Sequence, residues 1–205
     1  YDMQKGGLGA PLVPEFHKYL FAESNKRKII LNIGGISNGT YLDGNNIKIA
    51  TDIGPGNCLI DLVAMRHFGI PFDEDGKIAS KGQINEKILD NLLEKIRAAK
   101  YPRADDKSFY YGLNELNSDT PENLLTTLSE LTAICISDFC NTFDEPHEIL
   151  LHGGGAKNNF LLERLEKNIG SSLKLTDHII SAKFLESAAF AYLAFLEKGL
   201  LIEPR

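Results

Sequence analysis

Between residues 29 and 53 three strand-like runs follow one another so closely that only tight turns can join them. A parallel connection needs a crossover of a dozen or more residues, so the runs 29–33, 38–42 and 47–53 read as an antiparallel meander. Asp43-Gly44-Asn45-Asn46 supplies the second turn with residue types that accept hairpin geometry. The first turn lies within Asn32-Ile33-Gly34-Gly35-Ile36-Ser37-Asn38, where two glycines leave backbone N–H groups bare.

After the meander the pattern changes from strands to alternation. Gly54-Pro55-Gly56-Asn57 leads into an apolar-periodic helix over 58–68, with Gly69 at its end. Residues 70 to about 146 hold a polar loop, a helix near 84–99, an irregular stretch, and a long helix that Thr120 caps and Pro121 opens. Then come a strand at 148–152, a glycine turn, a helix at 158–168, a short strand at 173–175 and a closing helix near 183–200. A loop and short helix over 15–20, opened by Pro14, precede the meander. The order predicts an α/β, RNase H-like lobe: a three-strand meander extended by parallel strands, helices on both faces, and a largely helical insertion at about 70–146.

Composition narrows the partners. The chain has 205 residues, 43% apolar and 24% charged, with a net charge of -6, so it offers no broad basic surface for a nucleic acid or an anionic membrane. No stretch reads as a signal peptide or as an apolar run long enough to cross a bilayer. Cys58, Cys135 and Cys140 fall in apolar helical stretches without metal-ligand spacing, which suits a reducing cytoplasm. The five histidines, His17, His67, His147, His152 and His178, show no zinc spacing, and no structural metal is assigned. The helices over 121–139 and 184–200 suit core packing first and homodimer contacts second.

Four segments carry residue types suited to chemistry. The turn holding Asn32, Gly34, Gly35 and Ser37 fits either a bare tight turn or an anion cradle. Asp52 ends a strand and is followed by Gly54, Gly56 and Asn57 at a helix start, where free N–H groups favour an anion; Asp52 suits a metal-bound water or a substrate hydroxyl, with Asn57 available as the cap. Gly153, Gly154, Gly155 and Ala156 follow a strand; a plain turn seldom needs three consecutive glycines, so close ligand approach is the expectation. The turn lacks the Gly-Lys-Ser/Thr of a Walker loop. Asp2, read by itself, is a solvated acid before Gly6-Gly7-Leu8-Gly9, and Glu186 stands at the start of an apolar helix.

Taken in order, Gly6-Gly7-Leu8-Gly9-Ala10-Pro11-Leu12-Val13-Pro14, Asn32-Ile33-Gly34-Gly35-Ile36-Ser37-Asn38, Asp52-Ile53-Gly54-Pro55-Gly56-Asn57, Gly153-Gly154-Gly155-Ala156 and Glu186-Ser187-Ala188-Ala189-Phe190-Ala191 resemble the anhydro-N-acetylmuramic acid kinases, sugar kinases of the actin/hexokinase superfamily. The resemblance spans about the C-terminal half of the family's usual length. Together with the start at Tyr1, it implies the C-terminal lobe of a two-lobed enzyme whose N-terminal lobe, with its own phosphate loop, is absent. It further implies ATP and Mg²⁺ as cofactors and a small sugar as substrate, the 1,6-anhydro ring being opened by water while O6 is phosphorylated.

By that resemblance Asp2 is the base that activates the water, 32–38 a phosphate hairpin, 52–57 a segment near the phosphates and Mg²⁺, 153–156 the adenosine-side turn, and Glu186 a residue facing the sugar. The single lobe is expected to be inactive, since phosphoryl transfer rests on positioning and charge stabilisation. Leu8 stands where the family has a glutamine, Asp106-Lys107-Ser108-Phe109-Tyr110 largely replaces a Pro-Lys-Ser-Thr-Gly-Arg run, and Lys183 and Phe184 stand where an acid is expected. These departures keep two alternatives open: a non-catalytic nucleotide-binding module, and a kinase of another small sugar.

Overall fold

The computed structural model describes residues 13–143, 147–176, 179–180 and 182–196. Five strands, β1 (Arg27–Ile33), β2 (Ile36–Asp43), β3 (Asn46–Pro55), β4 (Glu148–His152) and β5 (Lys174–Leu175), form one sheet in the order β3-β2-β1-β4-β5. The first three pair antiparallel, and β4 and β5 add in parallel beside β1. This is the RNase H-like layout expected from the sequence. Gly44, at φ +57, lets the chain reverse between the paired Asp43 and Asn46. The β2–β3 register slips at Ser37/Asn38 and again at Tyr41/Leu42, and such bulges sharpen the local twist.

Seven helices accompany the sheet among the described residues: α1 (Pro14–Phe21), α2 (Cys58–Phe68), α3 (Glu86–Arg97), α4 (Lys107–Tyr111), α5 (Pro121–Cys140), α6 (Asn159–Ile169) and α7 (Ala182–Leu196). Strand β1 shows how both faces are covered. Ile29, Leu31 and Ile33 join the main core with Val63 of α2, Leu128 of α5 and Leu161 of α6, while Ile30 turns to the other face and meets Phe21 of α1. That is why β1 is a continuous apolar run rather than an alternating one. On the second face Phe16 of α1 packs against Leu185 and Ala189 of α7.

Helix α5 is the centre of the main core and contacts β2, β3, α2, α3 and α6. The segment expected as an insertion thus supplies the helix on which much of the sheet rests. Its start is set as expected: Thr120 Oγ1 accepts from the Asn123 amide at 3.4 Å, with Pro121 in the first turn. Leu125, Leu131 and Ile136 are fully buried, and truncating any one of them to alanine costs about 2–5 kcal/mol. Gly69, in the left-handed region at φ +68, ends α2 as expected.

Strand β3 runs two residues further than the sequence reading, through Gly54 and Pro55. Glycine and proline read as breakers, yet β3 is an edge strand, where proline is tolerated. The edge of β3 away from β2 is partly covered by the segment at Arg103: the Asp52 amide donates to the Arg103 carbonyl at 3.0 Å, and the Arg103 amide donates to Thr51 Oγ1 at 2.8 Å. A loop laid along an edge satisfies backbone groups that would otherwise invite pairing with another chain.

Candidate functional site

Three turns converge at the end of the sheet where β1, β3 and β4 finish. The amides of Gly56 and Cys58 donate to the Gly35 carbonyl, each at 3.0 Å, and the Asn57 amide donates to the Gly34 carbonyl at 2.8 Å. The first turn of α2 is therefore bolted to the β1–β2 turn. Such an approach is possible because Gly56 has no side chain: a Cβ there would lie 2.3 Å from the Gly34 oxygen. The Gly56 carbonyl in turn accepts from Thr132 Oγ1 at 3.1 Å, which ties the junction to α5.

This geometry corrects two expectations. The N–H groups of 56–58, expected free for an anion at the start of α2, are taken by the Gly34 and Gly35 carbonyls. Asn57 precedes α2 without capping it; its side-chain amide donates instead to the Ile33 carbonyl at 3.4 Å. The physical reason is the same in both cases, since bare glycine turns bring carbonyls close enough to satisfy these donors first.

The β4–α6 turn closes the other side. A Cβ on Gly153, whose φ is +98, would lie 2.5 Å from Asn32 Oδ1, and one on Gly155 would lie 2.3 Å from Ile33 Cγ2. Close packing on β1 thus accounts for two of the three glycines that the sequence reading gave to ligand approach. Gly154 is the exception. It is exposed, with nothing nearer to its Cβ position than Asn57 Nδ2 at 3.7 Å, and it lines a cleft. Ala156 is buried beneath the turn.

That cleft has a volume of about 640 Å³ and lies among α2, the stretch at 72–77 and the start of α6. Its apolar wall is Ile60 and Phe72; its polar groups are Asn57, Asp61, Lys77, Lys157, Asn158 and the acids at 73–75. Asp61 had no sequence signal beyond being an acid in the first turn of an apolar helix. Burial pushes its carboxyl up to about 6, against the opposing pull of the Lys107 cation. Lys107 itself lies over the β1–β2 turn: a Cβ on Gly35 would lie 2.6 Å from the lysine Nζ.

The remaining expected site residues are placed as follows. Asn32 lies between Gly34 and Gly153. Ser37 is not open to the cleft; it is 1% exposed, packed under Gly56, and its hydroxyl has no hydrogen-bond partner among the described residues. Asp52 is in register with Asn38 and, through it, with Asn32, but its carboxylate accepts from the Asp105 amide at 2.8 Å. Burial raises its pKa, and the neighbouring Asp105 charge acts in the same direction. Gly54 packs on Cys135 of α5. Asp2 lies outside the described residues, as does the Glu186 side chain, although the Glu186 backbone is part of α7.

No helix among the described residues is long and apolar enough to cross a membrane, and no group of three or more metal-ligating side chains is found among them.

Two solved structures share the fold. The activator of the 2-hydroxyisocaproyl-CoA dehydratase from Clostridium difficile, solved with bound ADPNP, matches with a TM-score of 0.52 at 16% identity, over 95% of this chain and 70% of that one. Component A of the (R)-2-hydroxyglutaryl-CoA dehydratase of Acidaminococcus fermentans matches with a TM-score of 0.52 at 10% identity, over 87% of this chain and 64% of that one. Curated relatives named anhydro-N-acetylmuramic acid kinase are nearer in sequence. That of Haemophilus influenzae is 36% identical over 95% of this chain, and that of Nitrosospira multiformis 38% over 94%. The chain spans about half the length of these relatives, 56% and 55%. The family model for anhydro-N-acetylmuramic acid kinase matches residues 1–200, and the chain belongs to that family.

Proposed function

We propose that this chain is the nucleotide-binding part of an ATP-dependent kinase acting on 1,6-anhydro-N-acetylmuramic acid, with N-acetylmuramic acid 6-phosphate as product. The observation that carries the reading is the convergence of the 34–35, 56–57 and 153–155 turns beside a 640 Å³ cleft, in a chain of this family. The adenine ring enters between Gly154, which has no side chain, and the apolar wall of Ile60 and Phe72, while the phosphates extend toward Gly34 and Gly35. Asn32 and Asn57 stand between the turns as donors.

Water attacks the anomeric carbon, the bond from that carbon to O6 breaks, and O6 takes the γ-phosphoryl group of ATP, leaving ADP. Asp2 accepts the proton that the water loses. Glu186 is the sugar-side acid that the family resemblance assigns. When bound, Mg²⁺ would neutralise charge on the transferring phosphoryl group. Asp52 fits as the holder of one metal-bound water, since the Asp105 amide engages only one of its two oxygens.

Because the chain spans about half the length of its relatives, it is expected to bind ATP without turning over sugar. Catalysis belongs to a protein that carries it together with the segment matching the rest of those relatives. The partners that follow are ATP, the sugar and that second lobe. The coupled reaction is tested with such a protein in ¹⁸O-water: the label should enter the anomeric hydroxyl and be absent from the phosphate. Phosphorylated sugar that keeps its anhydro ring would contradict the reading.

A further inference from the structure

We infer that Lys107 is a polyphosphate-binding residue, holding its ammonium against the β1–β2 glycine turn where the nucleotide's phosphates lie. The inference rests on the nucleotide reading of the site and names a side chain that reading did not supply.

The contact is the first argument. A Cβ built on Gly35 would lie 2.5 Å from Lys107 Cε and 2.6 Å from Nζ, so the lysine end rests on the bare turn. The Gly35 carbonyl already accepts from the Gly56 and Cys58 amides, and is not what draws the ammonium there. Among the described residues Lys107 has no ion pair; the acid that feels its charge is Asp61, on the wall of the cleft beside the turns.

The anchoring is the second argument. Lys107 is exposed, and the residues on either side of it are tied down. Asp106 Oδ1 accepts from the Ser108 amide at 2.7 Å, Asp52 Oδ2 accepts from the Asp105 amide at 2.8 Å, and Thr51 Oγ1 accepts from the Arg103 amide at 2.8 Å. The hydroxyl of Tyr110, a residue 1% exposed, donates to Asp105 Oδ2 at 2.5 Å. With its segment anchored, the lysine side chain swings about a fixed base beside Gly35. A compact ammonium is suited to phosphate as a point charge.

Calorimetric titration of the chain with ATP, and separately with adenosine, tests this for the native protein, Lys107→Ala and Lys107→Arg. ATP affinity should fall about tenfold or more in Lys107→Ala and largely return in Lys107→Arg, while adenosine affinity stays within about twofold of native in both. Unchanged ATP affinity in Lys107→Ala, or equal losses for ATP and adenosine, would overturn the role of Lys107 and leave the nucleotide site standing. A native chain that binds neither ligand would overturn the nucleotide site and this role together.

Discussion

His17 Nε2 lies 3.2 Å from His152 Nε2, and the other ring nitrogen of His17 is 2.9 Å from Thr40 Oγ1, so two buried imidazoles join α1 to the last residue of β4. Burial first, and the second imidazole next, lower the His17 pKa to about 3 from 6.5. The unfolded chain therefore takes up a proton that the folded one refuses as pH falls from 6.5 toward 3. Stability should be level above that window and decline within it by up to about 1.4 kcal/mol per pH unit from this group. Denaturant unfolding at stepped pH checks the slope, and His17→Phe should flatten it.

The glycines of the site divide by what a methyl group would meet. In Gly56→Ala the added carbon meets the Gly34 backbone oxygen at 2.3 Å, which cannot yield without opening the junction of β1, β2 and α2. A loss of about 1–3 kcal/mol is expected in thermal or denaturant unfolding. Gly35→Ala meets only the flexible end of Lys107. It should fold with near-native stability and weaken ATP binding by displacing the ammonium.

Asp61 is destabilising where it stands. Its carboxyl is shifted up to about 6 from 3.8, chiefly by burial, so the folded state holds its proton more tightly than the unfolded state. Stability from this group is present below the unfolded value and is lost as pH rises through about 6. Asp61→Asn should raise the melting temperature at pH 7 and leave it nearly unchanged at pH 4. A stabilising substitution on a cleft wall is a mark of a residue kept for binding.

Much of the scaffold was legible because it rests on local pattern. The runs Ile29–Leu31 and Ile149–Leu151 are apolar throughout, and Thr120-Pro121 and Gly69 mark helix ends with their own backbone chemistry. The convergence of the turns was also foreshadowed, since strand ends of an α/β sheet gather on one edge. What escaped was set by contacts between distant segments. Nothing near Asn57 says that its side chain turns to Ile33, and nothing near Ser37 says that Gly56 will cover it. Lys107 reaches Gly35 from a segment that Arg103 ties to Thr51, 52 residues earlier in the chain. The three glycines at 153–155 misled in part, because two of them answer to packing on Ile33 and Asn32.

The central claim is tested most directly by phosphate transfer from ATP to 1,6-anhydro-N-acetylmuramic acid. The protein to assay joins this chain to the segment matching the rest of its relatives, in native form and as Asp2→Asn. Native protein should release the 6-phosphorylated reducing sugar, and Asp2→Asn should lose about 10²-fold or more of that rate while still binding ATP. Absence of product from the native protein, or full activity in Asp2→Asn, would contradict the account.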